Sequence, residues 1–361
     1  MKRAVLCVSD PWNYIDQVNN YSIMIVDPNG TPQRRQYLLD NSDWSLLITD
    51  QGTETRDGKD YNNEKVLWYT SGTTGNSKFY SFSQAQLDRK AQLICEAHHI
   101  TDQDHYVAMM PLWHGHGQSM YWAARWAQCK ITHIPVTKLR TVAELEPTFI
   151  SATPAIINAV SRQKFNKLKF IRTSSQKLPD ALYWKLKNEF EVPVIETYGL
   201  TEALGPVMTN LLHEKSYPGT VGKPWGFDAK IVDGELHIRG FCMFTDQWYA
   251  TGDLADLDAN GNYQIRGRKD DAINVNGFKI NPQWVEDQLY NLLPGIEEIV
   301  LFGKDRVHCV YVGNYSEAQV KDALIKFDAH CNPKLLKKLD AIPKTSSNKV
   351  SRLQLLRLFT K

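Results

Sequence analysis

Residues 70–78, TSGTTGNSK, crowd Ser71, Gly72, Thr73, Thr74 and Gly75 together between Thr70 and a single cation, Lys78. An ordinary turn needs one or two glycines. Five consecutive small or hydroxyl-bearing residues followed by a lysine have the makings of an anion cradle. Glycines let backbone N–H groups converge, hydroxyls add donors, and the ammonium adds charge. The order G-x-x-x-x-G-K-[ST] cannot be fitted to the stretch, which argues against a kinase-type phosphate loop. Taken alone, it also fits a Gly/Thr loop that holds nothing.

Six further stretches carry candidate chemistry: PLWHGHGQ (111–118), SSQKLP (174–179), YGLTEA (198–203), YATGDL (249–254), GRKDDAINVNGFKI (267–280) and IPKTSSNKVSR (342–352). With the cradle, and in this order, they resemble the core motifs of the superfamily of adenylate-forming enzymes. That superfamily holds acyl- and aryl-CoA synthetases, the adenylation domains of nonribosomal peptide synthetases, and firefly luciferase. One such motif is a weak signal, but seven in the family's order are specific, and the resemblance covers nearly the whole chain.

The resemblance implies ATP and Mg²⁺ as cofactors and assigns the residues. Thr70, Ser71, Gly72, Thr73, Thr74, Gly75 and Lys78 would hold the β- and γ-phosphates of ATP. Ser175, Gln176 and Lys177 would lie along the adenine edge, with Tyr198 stacked on the base. Thr201 would reach the α-phosphate. Glu202 would coordinate Mg²⁺, which takes few carboxylates and completes its shell with phosphate oxygens. Asp253 would accept both ribose hydroxyls, and Arg268 would donate to the same sugar. Lys349 matches the catalytic lysine, a cation that aligns a carboxylate with the α-phosphate and stabilises the charge that develops between them. His114 and His116 match the motif that lines the acid pocket, with Gly117 and Gly199 leaving it room. Asp270 matches the hinge of a mobile C-terminal domain, and Gly277 and Lys279 would border the channel for a thiol. Each residue has a plain alternative when taken singly: Glu202 as a solvated acid, Asp253 as a turn cap, Lys344 as a solvated lysine.

The implied activity is ATP-dependent activation of an aryl or acyl acid as its adenylate, with release of pyrophosphate. Transfer to the thiol of CoA or of a carrier protein's phosphopantetheine would follow. No acidic residue stands where amino-acid-activating members hold an α-ammonium group, which favours a simple acid. The alternative is a degenerate, non-catalytic member that binds nucleotide or a carrier protein. Ser77 replaces the usual proline, Asn348 the usual glycine and Lys279 a common arginine, so the phosphate contact at 279 would be less bidentate. The chain is shorter than most members, with the shortening expected at the N-terminus. Surface opened there would favour a partner or a homo-oligomer.

These groups need elements to position them. HYVAMMP, KITHIP, TFISAT, LKFIRT and VPVIETYG read as strands, and the segments between them, such as SMYWAARWAQ and PAIINAVSRQ, are long enough for helices. This alternation predicts an α/β domain with a parallel sheet covered on both faces. Ser83 and Gln86 form a capping-box pattern ahead of Leu87, Ala91 and Ile94. By resemblance, AVLCVSDPWNYIDQVNN is a strand followed by a helix. Asp233-Gly234 and Asn260-Gly261 mark two hairpins and a β-rich subdomain. Asn281-Pro282 opens another helix, and Ser316 with Gln319 caps the next. The expected division is an N-terminal ATP- and acid-binding domain over 1–269 and a small α+β domain over 270–361 carrying Lys349.

Composition narrows the classes. Within 361 residues, 42 basic and 40 acidic side chains nearly cancel, so no global field points to nucleic acid or an anionic membrane. The six cysteines have no paired spacing, which argues against a disulfide framework or a zinc site. No apolar run reaches the ~18 residues of a spanning helix. A cytoplasmic protein is the expectation.

Overall fold

The computed structural model describes residues 1–70, 77–344 and 350–359. The chain divides into two compact units: Met1–Leu178, Leu182–Asp228 and Arg239–Gln247 form the first, and Pro179–Ala181, Ala229–Ile238 and Trp248–Lys361 the second. The hairpin residues 248–268 thus group with the C-terminal residues, whereas the sequence joint was drawn at 269/270.

The first unit holds two sheets. One contains β1 (Arg3–Cys7), β2 (Ser22–Ile25), β3 (Leu46–Thr49), β4 (Gly52–Thr55), β5 (Val66–Tyr69) and β6 (Phe79–Phe82), in the order β4-β3-β1-β2-β5-β6. Between β1 and β2 the expected helix is absent. Two short 3₁₀ turns, Pro11–Asn13 and Ile15–Val18, take its place. Asp10 caps the first and Pro11 opens it, and a four-residue second turn is too short for an α-helical ladder. Helix α1 (Pro32–Asp40) precedes β3, and α2 (Gln84–His98) follows β6 with the expected Ser83/Gln86 capping box complete.

The other sheet contains β7 (His105–Ala108), β8 (Lys130–His133), β9 (Phe149–Ala152), β10 (Phe170–Thr173), β11 (Val194–Leu200), β12 (Gly205–Thr209) and β13 (Lys223–Pro224). Its order is β13-β12-β11-β10-β9-β7-β8, and the five strands from β11 to β8 run parallel, as expected. Helix α3 (Gly115–Trp126) follows β7, α4 (Pro154–Val160) follows β9, and α5 (Asp180–Phe190) follows β10. Both faces of the sheet are covered. Val107, Ile150 and Ile171 pack against Ile157, Val160 and Leu186 on one side. Tyr106, Phe149 and Phe170 pack with Ile94 and Cys95 of α2 and Met120 and Ala123 of α3 on the other. Strands buried on both faces explain why these segments read as continuous apolar runs.

In the second unit, β14 (Asp228–Val232), β15 (Glu235–Arg239), β16 (Tyr249–Leu257) and β17 (Tyr263–Arg268) form a four-stranded sheet. Asp233 and Gly234 both take positive φ (49° and 78°), as a tight hairpin turn requires. A hairpin of β18 (Ile273–Val275) and β19 (Phe278–Ile280) comes next. Helix α6 (Pro282–Leu292), capped by Asn281, and α7 (Glu317–Phe327), with its Ser316/Gln319 box, cover a three-stranded sheet of β20 (Ile296–Phe302), β21 (His308–Gly313) and β22 (Leu335–Lys338). Strand β20 sends Ile299 and Leu301 to this core and Val300 and Phe302 to a second one with Leu355 of α8 (Arg352–Phe359). No described helix is long and apolar enough to cross a membrane.

Candidate functional site

Strands β5 and β6 pair antiparallel, and the cradle is the loop joining them. Residues 71–76, which include Ser71, Gly72, Thr73, Thr74 and Gly75, lie outside the described residues. The two ends of the loop are held together: the Thr70 amide donates to the Lys78 carbonyl (3.0 Å), and the Lys78 amide donates to Thr70 Oγ1 (3.2 Å). Ser77 is buried, and Lys78 is exposed. Strand β6 separates the loop from α2 along the chain.

Two more motif segments leave the parallel sheet side by side. Strands β10 and β11 are neighbours in register, Thr173 opposite Glu196, so 174–177 and 198–202 emerge from adjacent carboxyl ends, where open α/β sheets bind ligands. Ser174 Oγ donates to the Thr197 carbonyl (3.1 Å), and the Leu178 amide donates to Glu196 Oε1 (2.9 Å). Ser175 adopts φ 76°, a left-handed conformation uncommon outside glycine and asparagine. Beyond Tyr198, Gly199 is required sterically, because a Cβ there would stand 2.4 Å from the Gly205 carbonyl oxygen. Thr201 and Glu202 occupy a single 3₁₀ turn.

Glu202 then ties these segments to the cradle strand. Tyr80, two residues past Lys78 on β6, donates its hydroxyl to Glu202 Oε1 (3.1 Å), and the Phe244 amide donates to the Glu202 carbonyl (3.0 Å). The Tyr80 and Phe244 rings meet edge-on at 5.0 Å. No group of three or more His, Cys, Asp and Glu among the described residues could hold a metal unaided. A half-buried carboxylate such as Glu202 suits Mg²⁺, whose remaining ligands are phosphate and water oxygens.

His114 caps α3, its Nδ1 accepting from the His116 amide (3.2 Å). Gly117 packs where a Cβ would lie 2.2 Å from the Pro111 carbonyl oxygen, so the close approach of α3 to the preceding segment itself demands glycine. His116 is buried. Its Nε2 lies 2.7 Å from Ser151 Oγ and 3.1 Å from Arg172 Nη1, and its Nδ1 lies 3.3 Å from Ser175 Oγ. Arg172, Ser151 and Tyr80 escaped the sequence reading. The signal for Arg172 was a cation inside the short strand FIRT, residues Phe170–Thr173.

In the second unit, Asp253 and Arg268 stand directly opposite on β16 and β17. Arg268 Nη1 donates to Asp253 Oδ1 (3.1 Å) and to the Thr251 carbonyl (3.0 Å), and the Asp253 amide donates to Thr251 Oγ1. The Asp253 side chain is 9% exposed against 47% for Arg268. Asp270 sits in the 3₁₀ turn Lys269–Asp271 between β17 and β18. Gly277, at φ 91°, turns the β18–β19 hairpin, and Lys279 is exposed on β19. Lys349 lies outside the described residues. Its flanks are joined by a bridge between Lys344 and Val350. Lys344 is exposed, as expected, and its Nζ pairs with Glu298 at 2.8 Å.

A family model for AMP-binding enzymes matches residues 62–245, just over half of the chain. The chain belongs to the AMP-binding enzyme family. Its fold is accordingly that of the adenylate-forming enzymes. It superposes on the anthranilate CoA ligase AuaEII with a TM-score of 0.86 at 20% identity, covering 99% of this chain and 87% of that one. An O-succinylbenzoate CoA synthetase from Bacillus subtilis in complex with AMP gives 0.84 at 22% identity, covering 98% and 88%. In sequence, the chain is 26% identical over 357 residues to an oxalate–CoA ligase of Arabidopsis thaliana, covering 84% of this chain and 69% of the relative. It spans 63% to 69% of the length of four curated relatives that it matches.

Proposed function

We propose that this chain is an AMP-forming acid–thiol ligase. A carboxylate oxygen of an aryl or acyl acid bonds to the α-phosphorus of MgATP as the bond to pyrophosphate breaks. A thiol sulfur then bonds to the acyl carbon, and AMP leaves. The acceptor is CoA or a carrier-protein phosphopantetheine, and the CoA ligases among the relatives favour CoA.

One observation carries the reading: the Tyr80–Glu202 hydrogen bond, which spans 122 positions and joins the strand leaving the cradle to the turn after β11. It supports the reading because the strand that follows the segment assigned to the β- and γ-phosphates touches the carboxylate assigned to Mg²⁺. ATP would be held by Thr70, Lys78 and residues 71–75 at its phosphates, by Tyr198 and 175–177 at its base, and by Asp253 and Arg268 at its ribose. Mg²⁺ at Glu202 would supply charge neutralisation for the departing pyrophosphate. Lys349 would bridge the two reacting anions, and Asp270 would divide 1–269 from the domain that carries it. His114, Gly117 and Gly199 would line the acid pocket.

Acid-dependent exchange of labelled pyrophosphate into ATP, across a panel of aryl and acyl acids, tests the proposal. Exchange is expected with at least one acid, and Lys349→Ala should lower it on the order of a hundredfold or more. A folded protein that binds AMP but exchanges with no acid would identify a non-catalytic member instead.

A further inference from the structure

Arg172 is 1% exposed in the middle of the sheet. It follows Phe170 on the β10 face where Tyr106, Phe149 and Phe170 stack ring on ring, 5.1 and 5.2 Å apart. Its register partner on β9 is Ser151, which is fully buried. Removing a guanidinium from water is costly unless its donors are satisfied. A methionine would fill similar space without that cost. What a methionine cannot do is donate.

The donors lead to one ring. Guanidinium has no acceptor, so Arg172 Nη1, 3.1 Å from His116 Nε2, makes Nε2 the accepting nitrogen. The same Nη1 donates to Ser151 Oγ (3.0 Å), and Ser151 donates to Nε2 (2.7 Å). A neutral imidazole that accepts at Nε2 carries its proton on Nδ1. That nitrogen lies 3.3 Å from Ser175 Oγ. A protonated ring would put two desolvated cations in contact, an arrangement low dielectric penalises heavily. The neighbouring His98 obeys the same field: burial first, then Arg172, hold it well below the ordinary imidazole range.

We infer that Arg172 is a positioning residue that fixes His116 as the neutral Nδ1–H tautomer, so that His116 donates to Ser175 and turns the hydroxyl of this left-handed serine into a donor toward the nucleotide. The relay joins the N-terminal end of α3, on the acid side, to the 174–177 segment, on the nucleotide side. Its purpose rests on the reading of that segment given under Proposed function, whereas its tautomer does not.

The test uses the full chain labelled with ¹⁵N-histidine, with the His116 resonances assigned by their loss in His116→Asn. Wild type should show Nδ1 protonated and Nε2 bare at neutral pH, and Arg172→Met should lose that pattern. AMP affinity, measured by calorimetry, should fall about tenfold in Arg172→Met and in His116→Leu, the scale of one lost hydrogen bond. His116→Asn places an amide N–H where Nδ1–H was and should retain most of the affinity. A wild-type ring that is Nε2–H or doubly protonated overturns the inference, as does wild-type AMP affinity in both His116→Leu and Arg172→Met. Should Arg172→Met fail to fold, the wild-type spectrum and the two His116 variants decide. Failure of wild type to bind AMP overturns the nucleotide reading and the relay's purpose, while the spectrum still decides the tautomer.

Discussion

Glu202 and Asp253 are both carboxylates, yet their surroundings ask different things of them. Glu202 is half-buried and receives the Tyr80 hydroxyl, whereas Asp253 is nearly covered and faces Arg268 across a hairpin. Glu202→Gln keeps an oxygen for Tyr80 and removes the charge. If Glu202 serves Mg²⁺, this variant should weaken MgATP binding about tenfold or more and leave AMP binding close to wild type. Asp253→Asn should weaken both nucleotides, because the ribose is common to them. Calorimetric titration of each variant with MgATP and with AMP separates the roles, and equal loss of both ligands in Glu202→Gln would refute the metal assignment. The family was legible because the types and order of the motif residues are specific to it. Arg172, Tyr80 and Lys90 were not. A cation or phenol in a buried element looks like a break in the apolar pattern until its partner, far away in sequence, is seen.

Elements were legible wherever a local hydrogen bond dictates their ends. The Ser83/Gln86 and Ser316/Gln319 boxes and the Asn281-Pro282 start opened helices as expected, and Asp233-Gly234 turned a hairpin. The segment after β1 was misread because a strand-plus-helix resemblance says nothing about how Asp10 and Pro11 tighten the chain into 3₁₀ turns. Helix α2 hides a further exception. Lys90 lies on its buried stripe with Leu87, Ala91 and Ile94, its Nζ donating to the Pro206 carbonyl (2.6 Å) and standing 4.1 Å from the Phe227 ring centre. Burial pulls its ammonium down to about 7. The unfolded chain keeps an ordinary lysine, so between about pH 7 and 10 it binds more protons than the native state, and stability rises with pH through that window. Below the folded value the penalty is fully present and the slope vanishes. Relative to Lys90→Met, wild type should gain about 1 kcal/mol per pH unit between pH 7 and 9. Denaturant unfolding of both proteins at the two pH values checks this, and parallel pH dependence would show that Lys90 stays charged when folded.

On the scale of the whole chain, the parallel sheet was foreseeable from alternating strand and helix segments, but the grouping of 248–268 with the C-terminal residues was not. Hairpin strands carry no mark of which neighbour they will pack on; that depends on contacts remote in sequence. The second unit has its own core, built on Ile273, Val285, Leu289, Leu301, Val320 and Leu324, so surface substitutions in it should leave its fold intact. Two residues of this unit are assigned to different half-reactions. In sequence Lys349 falls between the bridged residues Lys344 and Val350, and Lys279 stands on the separate β18–β19 hairpin. If the unit presents one element for adenylation and the other for thiol attack, the two losses must separate. Lys349→Ala should abolish pyrophosphate exchange yet still transfer the acyl group from supplied acyl-adenylate to CoA. Lys279→Ala should exchange normally and slow that transfer, by about tenfold if one charged contact is lost. Both half-reactions can be followed in single-turnover assays on one acid. Equal loss of both steps in either variant would mean that a single arrangement of the unit serves the whole reaction.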